Sequence, residues 1–228
     1  MKQALLAILA IFSLASAYSQ SDLQTRNVTG FRGVETSGGI DLYLKSGKES
    51  VAISASESVR PHVKTEVVDG ILRIGFENHW RGFNMGKVKA YVSVETLEKL
   101  GASGGSNIYL ENEITCKDLN VELSGGSNLK GKLNANNLDM DQSGGSGADL
   151  AGNVKNLKIE SSGGSDLHGY DLITDNVNIS ASGGSNSYFT ANKEISIVAS
   201  GGSDVHYKGQ AVIKRINSSG SSSVTHKD

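Results

Sequence analysis

The sequence predicts an all-β protein, a parallel β-helix with about 20 residues per coil, entered through a partly antiparallel strand region. Three observations predict it. The phrase Ser-Gly-Gly-Ser returns at Ser103–Ser106, Ser124–Ser127, Ser143–Ser146, Ser162–Ser165, Ser182–Ser185 and Ser200–Ser203, with successive copies 21, 19, 19, 20 and 18 residues apart. Self-similarity at such a period marks a stacked architecture in which each repeat covers the apolar face of its neighbours. Aligned on the first Ser of the phrase, two columns are apolar: Leu119, Leu138, Leu157, Val177, Ile195 and Ile213 five residues before it, and Leu100, Val121, Met140, Ile159, Ile179 and Ile197 three before it. The positions between and after them are polar, as the outward side of a half-buried strand requires. Finally, no repeat offers a capped apolar run at helical spacing, and a unit of this length is too short for a four-stranded propeller blade.

The chain divides into residues 1–20, 21–100 and 101–228. Met1-Lys2, the apolar run Ala4 to Phe12 and the small residues Ala15-Ser16-Ala17 have the charged, apolar and cleavage regions of a secretory signal peptide, cut after Ala17 or Gln20. The apolar run is shorter than the ~20 residues of a spanning helix, so no transmembrane segment is expected after cleavage. In the N-terminal strand region, alternation with β-branched residues predicts strands at Ile40–Leu44, Val51–Ala55, Val63–Val67, Ile71–Phe76 and Val88–Val94. Asp69-Gly70 between two such runs predicts a two-residue hairpin, while Arg60-Pro61 and His79–Asn84, with Trp80, read as loops. In the repeat β-helix, which belongs to the same domain, each phrase is followed by a short strand such as Asn107-Ile108-Tyr109 and a turn often marked by Gly, as at Gly131, Gly169 and Gly209.

The phrase itself is explained by architecture. Gly-Gly lets the backbone turn with positive φ, where a Cβ is penalised, and the Ser hydroxyls can bond to the turn or to neighbouring coils. Degenerate copies stand at Ser37-Gly38-Gly39 and Ser218-Ser219-Gly220-Ser221. The next column, Asn107, Asn128, Gly147, Asp166, Asn186 and Asp204, suits turn capping and stacked amides.

The run-in Phe31-Arg32-Gly33-Val34-Glu35-Thr36-Ser37-Gly38-Gly39-Ile40-Asp41-Leu42-Tyr43-Leu44, then Asp69-Gly70-Ile71-Leu72-Arg73-Ile74 and Val92-Ser93-Val94-Glu95-Thr96-Leu97-Glu98-Lys99-Leu100, followed by Gly-rich coils, resembles the putative autotransporter adhesin head GIN domain family of Bacteroidetes-type bacteria. The likeness covers roughly Val28 to Ile213. It implies an exported β-helical protein without established catalytic residues.

With 22 basic and 24 acidic side chains the chain has no basic field to attract nucleic acid, and its one cysteine, Cys116, excludes a disulfide framework or a CxxC metal site. Gly144 to Asp149 matches a calcium nonapeptide only once, and Gly126 to Lys132 resembles a phosphate loop without its Ser/Thr or helix. Two constellations remain. Stacking would line up Glu122, Asp141 and Glu160 on successive coils, with Asp139 beside Asp141 and Lys158 beside Glu160. Stacked like charges are unfavourable unless screened, protonated or bridged by a cation, so a hard cation such as Ca2+ is the one cofactor these residues could hold. The alternatives are a solvated acidic face softened by Lys158, or the carboxylate pair of a carbohydrate-active β-helix enzyme. A second outward column, Tyr43, Tyr109, Lys130, His168, Tyr188 and His206, suits contact with a glycan or a surface protein, against the alternative of ordinary outward Tyr on strands. The expected function is a non-enzymatic adhesion or binding module, exported to the periplasm, the outer-membrane surface or the exterior; a purely structural envelope protein is a further alternative.

Overall fold

The computed structural model describes residues 23–77 and 86–228; the expected signal peptide and the loop expected at His79–Asn84, with Trp80, lie outside them. Among the described residues seventeen strands wind into one sheet, and the stretch expected as a loop at Arg60-Pro61 is a single 3-10 turn, Arg60–His62. Among the described residues no helix is long and apolar enough to cross a membrane.

The first strands are β1 (Leu23–Arg26), β2 (Gly33–Ser37), β3 (Asp41–Ser46), β4 (Ser50–Ser54), β5 (Val63–Val68), β6 (Ile71–Phe76) and β7 (Lys89–Val94), close to the alternating runs of the sequence. Asp69 (φ 53°) and Gly70 (φ 75°) turn β5 back antiparallel onto β6, as the hairpin signal requires. The order of these strands in space differs from their order in the chain. β6 and β7 form a coil outside the one formed by β2 and β3, with β2 parallel to β6 and β3 parallel to β7. The other sides of β2 and β3 take β8 (Lys99–Ser103) and β9 (Asn107–Leu110). Antiparallel β5 closes one outer edge against β6, while β4 and then β1 close the other against β7.

From β8 onward each coil stacks on the one before it through β10 (Ile114–Leu123), β11 (Asn128–Gln142), β12 (Gly147–Ser161), β13 (Asp166–Ala181), β14 (Asn186–Ala199), β15 (Asp204–Lys208), β16 (Val212–Ser218) and β17 (Ser223–His226). The pairings are parallel, and Val121, Met140, Ile159, Ile179 and Ile197 lie in one line, all buried. Each coil therefore has a leading strand that runs into the Ser-Gly-Gly-Ser turn and a leaving strand that runs out of it. In β11 to β14 the leaving strand does not stop at a turn. The chain stays extended into the next leading strand, because Gly131 and Gly169 sit inside strands; only Gly209 (φ 97°) separates two strands, β15 and β16.

The turns use the phrase in two ways. In the turns at Ser37, Ser103 and Ser124 both glycines have positive φ, whereas in those at Ser143, Ser162, Ser182 and Ser200 only the first does. In the later class the first glycines stack so closely that a Cβ on Gly163 would lie 2.8 Å from the Gly144 carbonyl oxygen. In the turns at Ser162, Ser182 and Ser200 the second glycine turns its N–H to the coil below, as when Gly184 N donates to Gly163 O at 2.7 Å. The last Ser of the phrase is buried in every full copy. In two copies its hydroxyl closes the turn, Ser165 Oγ donating to Ser162 O at 2.9 Å and Ser203 Oγ to Ser200 O at 2.9 Å. Ser106 Oγ instead accepts from Gly39 N and Ile40 N of the neighbouring coil, while the Ser146 and Ser185 hydroxyls are buried without a partner.

The last coil is shifted by one residue from the alignment on Ser218. Ser219 N bonds to Ala199 O as Ser200 N bonds to Ala181 O, so the terminal turn is Ser219-Gly220-Ser221-Ser222. A bulge at Lys214 absorbs the shift, and Ile213, expected to face inward, is 52% exposed. Nothing stacks beyond this coil among the described residues, and an inward direction buries a side chain only when a neighbour covers it.

Candidate functional site

The outward column of the leaving strands is continuous. The strand registers place Tyr91, Tyr43, Tyr109, Lys130, Asp149, His168, Tyr188 and His206 in one line. Tyr91 and Asp149 extend the column read from the sequence. The rings form two stacks: Tyr91, Tyr43 and Tyr109 with centroids 5.2 and 5.1 Å apart, and His168, Tyr188 and His206 at 5.4 and 5.1 Å. Between them Lys130 Nζ meets Asp149 Oδ2 at 2.7 Å, and that carboxylate raises the Lys130 pKa. Lys89 Nζ lies 5.6 Å from the Tyr43 ring centre. Tyr170 meets Tyr188 edge-on at 5.5 Å with Lys208 Nζ over its ring at 5.0 Å, and burial followed by the neighbouring Tyr188 raises its phenol pKa. Parallel stacking along the axis changes the chemistry of the column. Ring faces are spent on one another, so the surface offers ring edges: phenol hydroxyls and imidazole nitrogens that donate and accept hydrogen bonds.

On the leading strands Glu122, Asp141 and Glu160 stand on successive coils, as the alignment predicts. They are not a bare acidic row. Lys99 Nζ spans Glu35 Oε1 at 3.1 Å and Glu122 Oε1 at 3.0 Å, reaching across the coil where Gly101 leaves the column empty. Lys158 Nζ meets Glu160 at 2.9 Å and Asp139 at 3.3 Å, and both lysine pKa values are raised by these hydrogen bonds. Asp141 has no such partner: burial, then Asp139, Glu160 and Glu122, push its pKa up against the opposing pull of Lys158. Among the described residues no three His, Cys, Asp or Glu side chains are placed to hold one metal ion.

A third feature escaped the sequence reading. Six residues before the first Ser of the phrase, Asp118, Asn137, Asn156 and Asn176 form a ladder: Asn137 Nδ2 donates to Asp118, Asn156 Nδ2 to Asn137 Oδ1 at 2.8 Å and Asn176 Nδ2 to Asn156 Oδ1 at 2.8 Å. The signal was a column of Asp and Asn in the same alignment that displayed the apolar ones. The column expected to stack amides does so in part, with Asn128 on Asn107 on Asp41 and Asn186 on Asp166, interrupted where Gly147 has no side chain. Two concavities mark the leading face. One, of about 760 Å3, lies beside β5 and β6 and is lined by Lys64, Glu66, Arg73, Phe76, Glu35 and Glu122. Its charges are paired, Lys64 with Glu66 at 2.8 Å and Arg73 with Glu35 at 3.2 Å. The other follows the asparagine ladder.

The family described as "Putative auto-transporter adhesin, head GIN domain" matches residues 30–211. The chain belongs to that family. No curated protein matches it. Among solved structures, a putative adhesin from Bacteroides fragilis NCTC 9343 superposes with a TM-score of 0.86 at 20% identity, covering 90% of this chain and 96% of that one. A putative adhesin from Parabacteroides merdae ATCC 43184 gives 0.68 at 18% identity, covering 92% and 98%. A putative lipid binding protein from Parabacteroides distasonis ATCC 8503 gives 0.67 at 17% identity, also covering 92% and 98%. At these identities the likeness is one of fold. GIN-domain membership agrees with the resemblance carried by the run-in and the Gly-rich coils.

Proposed function

We propose that this GIN-domain chain is an exported, non-enzymatic adhesion module of the bacterial envelope, and that its contact surface is the outward column of the leaving strands. The observation that carries this is the single register line from Tyr91 to His206, in which two ring stacks flank the Lys130–Asp149 ion pair. Such a row is rigid, amphipathic and rich in hydrogen-bonding edges, and rigid Tyr side chains lose little conformational entropy on contact with a glycan or a protein. The family's description as an adhesin head supports the role, and the apolar leader Ala4 to Phe12 supports export. The test is retention of the purified protein on glycan arrays and on intact bacterial cells. Tyr188→Ala, which removes the middle of one stack, is expected to weaken retention roughly tenfold, the loss of an anchor worth about 1.4 kcal/mol. Equal retention of wild type and a Tyr43→Ala/Tyr188→Ala double variant would remove this surface from consideration.

A further inference from the structure

The trough beside the asparagine ladder has a volume of about 370 Å3 and runs along the solenoid axis. One wall is Asn137, Asn156 and Asn176; the other is Asp139, Lys158 and Asn178, two residues along the same strands. Leu138, Leu157 and Val177 between the walls are buried, so what they present to the trough is main chain. The walls repeat once per coil, at the ~4.8 Å spacing of paired strands.

The ladder holds each amide in one orientation and leaves it half used. Asn156 spends one N–H on Asn137 Oδ1 and one Oδ1 lone pair on Asn176 Nδ2. A carboxamide has two donors and two acceptor sites, so one of each remains per coil, facing solvent. The ionic groups of the trough are already paired, Lys158 with Asp139 at 3.3 Å and Lys214 with Glu194 at 3.0 Å.

We propose that this trough is a binding site for an extended neutral polysaccharide lying parallel to the solenoid axis, its hydroxyls paired with the spare amide donors and acceptors. A sugar hydroxyl both donates and accepts, which matches an amide that offers one of each. An anionic glycan would meet Asp139 and Glu194, with the trough's two lysines already paired to them. An extended peptide would bring apolar side chains to a floor whose own apolar side chains point inward. Because the ladder already fixes the amide rotamers, binding costs little side-chain entropy. The site lies on the leading strands and stands independently of the ring column on the leaving strands.

The experiment follows the side-chain amide signals of Asn137, Asn156 and Asn176 by nitrogen-proton NMR of the whole mature chain. The probes are soluble hexasaccharides of β-linked glucose, xylose and mannose, with a hexauronate and an unstructured peptide as counter-probes. At least one neutral hexasaccharide is expected to shift the three amide pairs saturably, with Asn156→Ala weakening Kd roughly tenfold. Asn178→Ala, which has no place in the ladder, should weaken it several-fold and keeps the test valid if Asn156→Ala unfolds. Tyr188→Ala should leave these shifts unchanged. Amide signals unmoved by every neutral probe, moved only by the hexauronate or the peptide, or abolished by Tyr188→Ala would overturn the proposal.

Discussion

From β8 to β17 the order of coils in space is their order in the chain, whereas before β8 it is not. The coil of β6 and β7 lies outside that of β2 and β3, and β1, β4 and β5 run antiparallel along its edges. The regular region gains its register from repetition: identical columns can stack without further instruction, and a slip of one residue would turn every apolar side chain outward. The irregular region needs particular side chains to fix its strands. Arg26 Nη2 donates to the carbonyls of Arg60 at 3.1 Å and Val63 at 3.2 Å, tying β1 to the segment that enters β5, and burial with the nearby Arg60 lowers its pKa. The two ends differ accordingly. Antiparallel strands cover the N-terminal coil, while at the other end Val212 and Ile213 are 62% and 52% exposed.

The largest effect expected from breaking this contrast is at a first glycine of the regular turns. Gly183 has φ 72°, and a Cβ there would lie 2.8 Å from Gly163 O and 3.0 Å from Gly163 N. Gly183→Ala should therefore combine left-handed strain with a clash against rigid backbone and lower unfolding free energy by about 2–4 kcal/mol, measured by urea denaturation. An unchanged midpoint would mean that the coils are not stacked as tightly as this.

Next in size is the tie at the irregular end. Arg26→Ala should cost about 1–3 kcal/mol, through two lost charge-assisted bonds and lost packing of the arginine stem. Hydrogen exchange should show the loss concentrated in β1 and β4, with protection of β11 to β14 retained. Loss spread evenly over the solenoid would show the N-terminal strands to be one cooperative unit with the repeats.

What could be read from the sequence follows the same division. The repeated phrase made the columns of Glu122, Asp141 and Glu160 and of Tyr109, Lys130, His168, Tyr188 and His206 legible, because a fixed period names each residue's neighbour above and below. Alternation in the first hundred residues located β3 to β7 but could not say that Tyr91 stacks on Tyr43, since two residues to a period carry no information on which strand lies next. Lys99 was missed for the same reason: it bridges Glu35, from the irregular part, to Glu122, from the regular part. The stacking of rings face on face was also hidden, because a column fixes where side chains start and not how rings turn. The asparagine ladder is legible in the same alignment, as the column Asp118, Asn137, Asn156 and Asn176.

A smaller effect separates the two turn classes. Gly105, in the early class, has φ 78° with open space around its missing Cβ, whereas Gly184, in the late class, has no positive φ and only Gly163 O at 3.7 Å. Ser221 already stands at the late-class position in the terminal turn. Gly105→Ala should cost about 1–2 kcal/mol from backbone strain alone, and Gly184→Ala should stay within about 0.5 kcal/mol of wild type. Equal costs in thermal unfolding would erase the distinction between the classes.

The smallest effect lies in a carboxylate of the regular region that has burial and like charges against it, Asp141. Asp141 has a folded-state pKa raised above the ordinary 3.8, first by burial and then by Asp139, Glu160 and Glu122. A raised carboxyl pKa means that the folded state binds this proton more tightly than the unfolded state does, so the ionised group opposes folding at neutral pH. The opposition is fully present above the folded pKa, fades as the pH falls through it, and is gone below 3.8, where both states are protonated. Asp141→Asn should therefore stabilise the protein at pH 7 by a few tenths of a kcal/mol, a modest amount because the site is solvent-screened. The gain should shrink to nothing as the pH is lowered below the carboxylate range. If millimolar Ca2+ raised the wild-type melting temperature and left Asp141→Asn unmoved, the relief would come from a bound cation, and Lys99 and Lys158 would not be the whole of the compensation. A variant less stable than wild type at pH 7 would show that the Asp141 carboxylate is held by favourable bonds, contrary to its surroundings.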